Sequence, residues 1–347
     1  MASTNTVYSN FVLENKLEDI LTTKVDLSNY MTVDRSLTEN AGMIKKIHKY
    51  TVTGNVQDLA MGVGNTDDIS STFTEEAYTV GVTQGRANYY DEEAMQDPLV
   101  VDNLVRGVAE TMVNDFTAKA INEYKKASRI IECDWSTTSA NYLFDKVVDA
   151  LALFGEDETG LTLLVSPSQK AYIRKQFGDN LKYSEGFVRT GYIGSIAGVP
   201  VVVSKAVPET CAFIVNNEAV TLFIKKESEA EQKRDPNTRN NEIFLRKVAL
   251  VALTNDKKIV ELAKAQSTAC AITTYTKAEK TIAGTCGTDA YKVVVVDGDG
   301  KSYTATPVAG AWTVTADENL TAGDKINATA YAYGYAPKAA TEVTVAE

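Results

Sequence analysis

Residues Asp97 to Lys126, DPLVVDNLVRGVAETMVNDFTAKAINEYKK, carry the strongest local signal in the chain. Asp97 reads as an N-cap and Pro98 as the first helical residue, where a missing N–H costs nothing. Val101, Leu104, Val105, Val108, Met112, Phe116, Ala120 and Tyr124 then recur at helical spacing. The pattern predicts a helix from Pro98 to Lys126, on the order of 40 Å long at about 1.5 Å per residue. It is read as a strut, packed through Leu104, Val108, Met112 and Phe116.

Upstream of the strut the period changes to two. His48, Tyr50 and Val52 share one face, and Tyr78, Val80 and Val82 another. Between these strands lies a polar tract with Gly62, Gly64, Asn65, Asp67 and Asp68. A two-stranded excursion of this length buries too little apolar area to offset its ordering entropy. It needs a further surface, from its own chain or from another copy. Before it, Phe11, Val12, Leu17, Ile20 and Leu21 form one amphipathic stretch in an otherwise polar arm.

Downstream, an amphipathic helix is expected over Asn141–Phe154, with Leu143, Val147, Val148, Leu151 and Phe154 inward. Leu161–Val165 reads as a buried strand. Ser166-Pro167-Ser168-Gln169 is a capping box opening a helix that Gly178 is expected to end. Further strands are read at 199–203, 211–215, 219–225, 243–253 and 258–262. The mixed charges Lys225, Lys226, Glu227, Glu229, Glu231, Lys233, Arg234, Asp235 and Arg239 are read as a solvated loop. Near Lys264 the composition shifts: Arg disappears, Thr and Ala become abundant, and short strands recur at 271–275, 290–296, 302–306, 312–315, 326–332 and 342–345. This predicts a small β-sandwich.

Composition narrows the function classes. The chain has 347 residues, 44% hydrophobic, with a net charge of −11 and no block of Lys or Arg, which argues against gripping nucleic acid. No apolar run approaches the roughly 18 residues that cross a bilayer, and Met1–Asn10 lacks the charge and apolar pattern of a secretion signal. Cytoplasmic synthesis and retention are expected. Cys133, Cys211, Cys270 and Cys286 stand far apart in sequence and read as small core residues. His48 is the only histidine, so catalytic schemes that use a histidine rest on that one position. Glu75-Glu76 and Glu92-Glu93 are carboxylate pairs in polar tracts where no pKa shift is expected. Asp297-Gly298-Asp299-Gly300 resembles the start of a calcium loop, but Val308 stands where a closing Glu is needed, so a hairpin turn is expected. No catalytic, cofactor-binding or metal site is assigned, and the chain is read as a non-enzyme.

The order of arm, β excursion, strut helix, mixed core and appended sandwich resembles the major capsid protein of tailed bacteriophages, the HK-ninety-seven-like fold. The phrases that carry the likeness are Gly191-Tyr192-Ile193-Gly194-Ser195-Ile196-Ala197-Gly198-Val199-Pro200, Val207-Pro208, and the stretch from Cys211 through Arg234-Asp235 to Ile259-Val260-Glu261-Leu262. The resemblance implies an α+β chain organised as an N-terminal arm (1–45), an extended loop (46–90), a spine helix with a peripheral domain (91–140), an axial domain (141–245) with turns at Gly191, Gly194 and Gly198, and return strands (246–266). The remainder, 267–347, is similar to a bacterial immunoglobulin-like domain, expected on an exterior.

The resemblance further implies a homo-oligomeric shell of hexamers and pentamers enclosing double-stranded DNA without specific binding. A separate scaffolding protein and a portal are expected as partners, with no membrane and no cofactor. Location in the virion, after assembly in the host bacterial cytoplasm, follows. His48, Tyr50, Val52, Tyr78, Val80 and Val82 are the expected inter-subunit contacts. No residue pair matches a covalent crosslinking motif. An encapsulin-type nanocompartment shell is the alternative with the same fold, and a surface adhesin a more distant one.

Overall fold

The computed structural model describes residues 7–9, 31–38, 42–59, 61–62, 64–97, 99–137, 139, 141–181, 194–266, 270–276, 279–317, 320–321, 323–340 and 342–345. In chain order the elements are β1 (Val7–Ser9), β2 (Thr32–Asp34), β3 (Ile44–Thr53), β4 (Ser70–Thr79), β5 (Gly81–Tyr90), α1 (Asp91–Gln96), α2 (Val100–Tyr124), β6 (Ile130–Glu132), α3 (Tyr142–Ala152), β7 (Leu161–Val165), α4 (Pro167–Leu181), β8 (Ser195–Ile196), β9 (Val199–Val203), β10 (Cys211–Asn216), β11 (Val220–Asp235) and β12 (Asn240–Leu253). They continue with β13 (Ile259–Ala263), β14 (Ala271–Thr276), β15 (Thr281–Thr285), β16 (Ala290–Val296), β17 (Ser302–Ala305), β18 (Ala311–Thr315), β19 (Lys325–Ala332), β20 (Lys338–Ala339) and β21 (Val343–Thr344). Two units are formed, one from 1–123 with 217–255 and one from 124–216 with 256–347.

In the first unit, β1-β11-β12-β5 form a sheet, with β2 parallel to β11. The strut helix is α2. Leu99 N–H donates to Asp97 Oδ1 (2.9 Å) and Val100 N–H to Asp97 O (3.1 Å), so Asp97 caps the helix as expected; Pro98 lies outside the described residues. Val105, Ala109, Met112 and Val113 pack on Ala230, Ile243 and Leu245. The face is rotated slightly from the predicted one: Met112 and Phe116 are buried, while Leu104 and Val108 are only half-buried. The helix packs tightly over Gly85 of β5, where a Cβ would fall 2.2 Å from Val108 Cγ1. On β12 the residues facing the helix are odd-numbered, and the even-numbered Val248, Leu250 and Ala252 face a second cluster with Ile47, Tyr78, Val80 and Phe223. That cluster anchors the base of a two-stranded ribbon, β3 and β4.

One expectation is corrected here. The charged tract 225–239 is not a loop but most of β11 and the turn into β12. Its charges are neutralised by neighbours: Arg246 of β12 bonds Glu229 (2.6 Å) and Glu231 (3.0 Å), and Arg234 bonds Asp91 (2.7 Å). The Arg246 guanidinium, with Lys226, pulls the Glu229 carboxyl down to about 2. The boundary expected at 245/246 also falls within a single strand, β12.

The second unit holds a mixed sheet, β6-β13-β10-β7-β9-β8, in which β7 and β9 are parallel and joined through α4. The capping box is present: Ser166 N–H donates to Gln169 Oε1 (2.8 Å) and Gln169 N–H to Ser166 Oγ (3.2 Å). Gly178 does not end the helix, which runs to Leu181. In α3, Leu143, Val147, Ala150 and Leu151 pack with Phe154 on one face of the sheet; Val148, expected inward, is exposed. Beyond β13, sheets β14-β15-β18 and β17-β16-β19-β20, with β21 on β19, enclose one core around Ile282, Val293, Val295, Trp312, Ile326 and Ala328. A bond from Ala336 N–H to Lys264 O (2.9 Å) ties this sandwich to the end of β13. Strands β15 and β20 have no counterpart among the predicted strands. Residues 297–300 form the expected hairpin turn, with Asp299 and Lys301 N–H donating to Asp297 Oδ1 and Gly300 at φ +79°.

Candidate subunit interface

The ribbon pairs in one uninterrupted antiparallel register from Ile44 opposite Thr79 to Thr53 opposite Ser70. Side chains alternate between its faces. Near its base one face is buried through Ile47 and Tyr78, where burial and the nearby Glu123 carboxylate push the Tyr78 phenol well up. The other face is open. Tyr50 is 62% exposed, Val52 64% and Phe73 61%, and Ile44 is similarly open. Tyr50 stands directly opposite Phe73, and the His48 ring stacks on Phe73 with centroids 5.6 Å apart. Toward the tip Val56, Leu59, Met61 and Ile69 add further exposed apolar surface.

Charge interrupts this face between Ile44 and Tyr50. Glu75 bonds Lys46 (2.6 Å) and lies 3.3 Å from His48 Nε2. The Lys46 ammonium holds the Glu75 carboxyl below the usual range, against the expectation of an unshifted pair. Of the other pair, Glu92 bonds Arg239 (2.7 Å) and Glu93 accepts the Tyr90 N–H (2.9 Å). From Tyr50 to Gly85 the sequence holds five carboxylates and no Lys or Arg.

The expected contact residues divide unevenly. His48, Tyr50 and Val52 lie together on the open face of β3. Tyr78 and Val80 are instead buried at the ribbon base. Val82 is exposed but belongs to β5, opposite Val248 in the main sheet. Phe73 completes the stripe and was not anticipated, because Ser70–Thr79 offers few apolar residues to mark a period. Beside β5, an open groove of about 770 Å³ runs along α2, lined by Val82, Arg86, Leu104, Val108, Thr111 and Lys119 among others. Of the three turn glycines, Gly198 has φ +84° and turns β8 into β9, Gly194 O accepts the Val201 N–H (3.0 Å), and Gly191 lies outside the described residues. Among the described residues no group of three His, Cys, Asp or Glu side chains is placed to hold a metal ion, and no helix is long and apolar enough to cross a membrane.

No protein-family model and no curated protein matches the sequence. Solved structures do match. A virus-like particle from Pyrococcus furiosus aligns with TM-score 0.51 at 14% identity, over 73% of this chain and 98% of the other. The capsid of cyanophage P-SCSP1u aligns with TM-score 0.55 at 12% identity, over 69% and 87%. The larger part of this chain has a viral capsid fold. The mature capsid of bacteriophage PhiM1 matches this capsid fold equally well, with TM-score 0.55 at 12% identity over 68% and 86%. At such identities the likeness concerns the fold alone.

Proposed function

We propose that this chain is the major capsid protein of a tailed double-stranded DNA bacteriophage, assembling through hexamers and pentamers into an icosahedral head. The observation that carries the reading is the open face of the ribbon. Tyr50, Val52 and Phe73 form an exposed apolar stripe, with Ile44 beyond Lys46 and His48 on the same face, and nothing in the described chain covers it. Exposed apolar surface of this kind, on an element unstable by itself, marks a protein contact. A second copy laid along that stripe would supply the missing burial.

In this reading His48, Tyr50 and Val52 touch the neighbouring subunit, together with Phe73. Tyr78 and Val80 hold the ribbon root, and Leu104, Val108, Met112 and Phe116 keep the spine helix on its sheet. The solved neighbours are covered over 98% and 87% of their length, while more than a quarter of this chain is left over. That surplus is comparable in size to 267–347, which supports its reading as an added immunoglobulin-like domain on the shell exterior. A separate scaffold and a portal complete the set of partners, and DNA is enclosed without specific binding, in keeping with the acidic balance.

The test is a Tyr50→Ser/Phe73→Ser double substitution, which touches no buried residue. The expected outcome is a soluble, folded chain that forms no closed particles by electron microscopy under conditions where the parent does. Normal particles from the variant overturn the reading. A genome-free compartment of the encapsulin type is the second reading, favoured by the likeness to a virus-like particle. Particles that form without nuclease-protected DNA in the native source would select it.

A further inference from the structure

The C-terminal sandwich contains two of the four thiols, Cys270 and Cys286, both buried in the same apolar core. The hairpin register relates them. Ala271 stands opposite Thr285 and Ile272 opposite Gly284. Carrying this antiparallel count one residue outward sets Cys270 opposite Cys286. Ala271 and Thr285, the pair beside them, are exposed, so the two cysteines fall on the inward face together. Directly opposed residues of antiparallel strands have Cα atoms about 4.5–5.5 Å apart, inside the range of about 4.4–6.8 Å that a disulfide spans.

The surroundings reinforce the pairing. Trp312 packs across Gly284, where a Cβ would fall 2.3 Å from its ring, and its side chain reaches the Cys270 sulfur. Burial pushes the Cys270 thiol up to about 11, with neighbouring Cys286 adding to the rise. The other two thiols lack this relation. Cys133 follows β6 and Cys211 starts β10, with β13 lying between those strands. Two strand spacings of about 4.8 Å hold them too far apart to bond.

We propose that Cys270 and Cys286 form a modification site, an intramolecular disulfide that closes the β14–β15 hairpin when the chain meets a small disulfide oxidant such as oxidised glutathione. One thiolate attacks the glutathione disulfide and releases one glutathione thiol, leaving a mixed disulfide. The second cysteine then loses its proton and displaces the other glutathione. Two protein thiols are oxidised and one glutathione disulfide is reduced to two thiols. β14 is an outer strand of its sheet, so fraying gives the oxidant access. The raised thiol pKa makes the reaction faster in mildly alkaline solution. Nothing in this inference depends on the shell reading.

The experiment treats the full chain with oxidised glutathione at mildly alkaline pH, then alkylates it in denaturant without reductant and maps its peptides by mass spectrometry. A Cys270–Cys286 crosslink two hydrogens lighter than the dithiol is expected, with Cys133 and Cys211 both alkylated. Cys270→Ala and Cys286→Ala should each abolish the crosslink, and a Cys133→Ala/Cys211→Ala variant should keep it. Alkylation at all four positions, a bond involving Cys133 or Cys211, or only interchain bonds would each overturn the proposal. The map of the parent chain decides the matter even where a variant fails to fold.

Discussion

Glu261 sits in the middle of β13 with no exposed surface, flanked across the sheet by Phe213 and Ile130. Neither of its carboxyl oxygens meets an N–H or O–H donor among the described residues. Burial therefore raises its pKa from the usual 4.5 to about 8, with the Cys211 thiol and Lys125 offsetting part of the rise. The sign follows from proton counting. Between those two values the folded chain holds a proton that the unfolded chain has lost, so this group's contribution to stability is greatest below about 4.5 and falls as pH rises toward 8. Above 8 both states are ionised and the slope from this group vanishes. At about 1.4 kcal/mol per pKa unit, the loss across the window is on the order of 5 kcal/mol. Glu261→Gln should remove it: the variant should match the parent near pH 5 and exceed it by several kcal/mol near pH 9. Both tryptophans, Trp135 and Trp312, lie in the unit that holds Glu261, so urea unfolding followed by their emission reads the correct part of the chain. Parent and variant curves that stay parallel from pH 5 to 9 would refute the reasoning.

Three further outcomes are expected. Gly85→Ala places a methyl 2.2 Å from Val108 Cγ1 and should destabilise the first unit by about 1–3 kcal/mol, seen as a lower urea midpoint by circular dichroism. Phe213→Ala empties a fully buried site against Tyr124 and should cost about 3–5 kcal/mol; a loss under 1 kcal/mol would mean that the sheet collapses around the gap. The Glu229 carboxyl, held near 2 by Arg246, contributes stability that is present above its ordinary 4.5 and lost as pH falls through about 2. Arg246→Gln should therefore flatten the acid unfolding curve of the first unit between pH 5 and 2, whereas an unchanged curve would remove Arg246 as the cause.

The sequence was most readable where one physical signal acts alone. Asp97 and the apolar spacing after it were enough to place α2, and Ser166 with Gln169 enough to start α4. It was misread where one signal serves two ends. Tyr78, Val80 and Val82 keep a two-residue period through the end of β4, the single linking residue and the start of β5, so nothing in their spacing reveals that the chain leaves the ribbon and joins the main sheet. The charges of 225–239 looked solvated because their partners, Arg246 and Asp91, are distant in sequence. Gly178 lies inside a helix because its conformational freedom permits a stop without requiring one. Of the ribbon's exposed face, the β3 side was legible from its two-residue period, and the β4 side was not, since Phe73 stands alone among Ser, Thr and Glu.

Among the described residues the ribbon's apolar root is Ile47, Tyr78 and Val80, so in the proposed shell the order of its outer half becomes a matter of concentration rather than of sequence. In dilute solution the tip gains little from holding one shape, and its ordering entropy goes unopposed. In the proposed shell, accumulation of identical molecules changes that balance by mass action, since each docked copy stabilises the ordered form. In that shell the same stretch is thus a threshold device, inert while copies are scarce and adhesive once they accumulate.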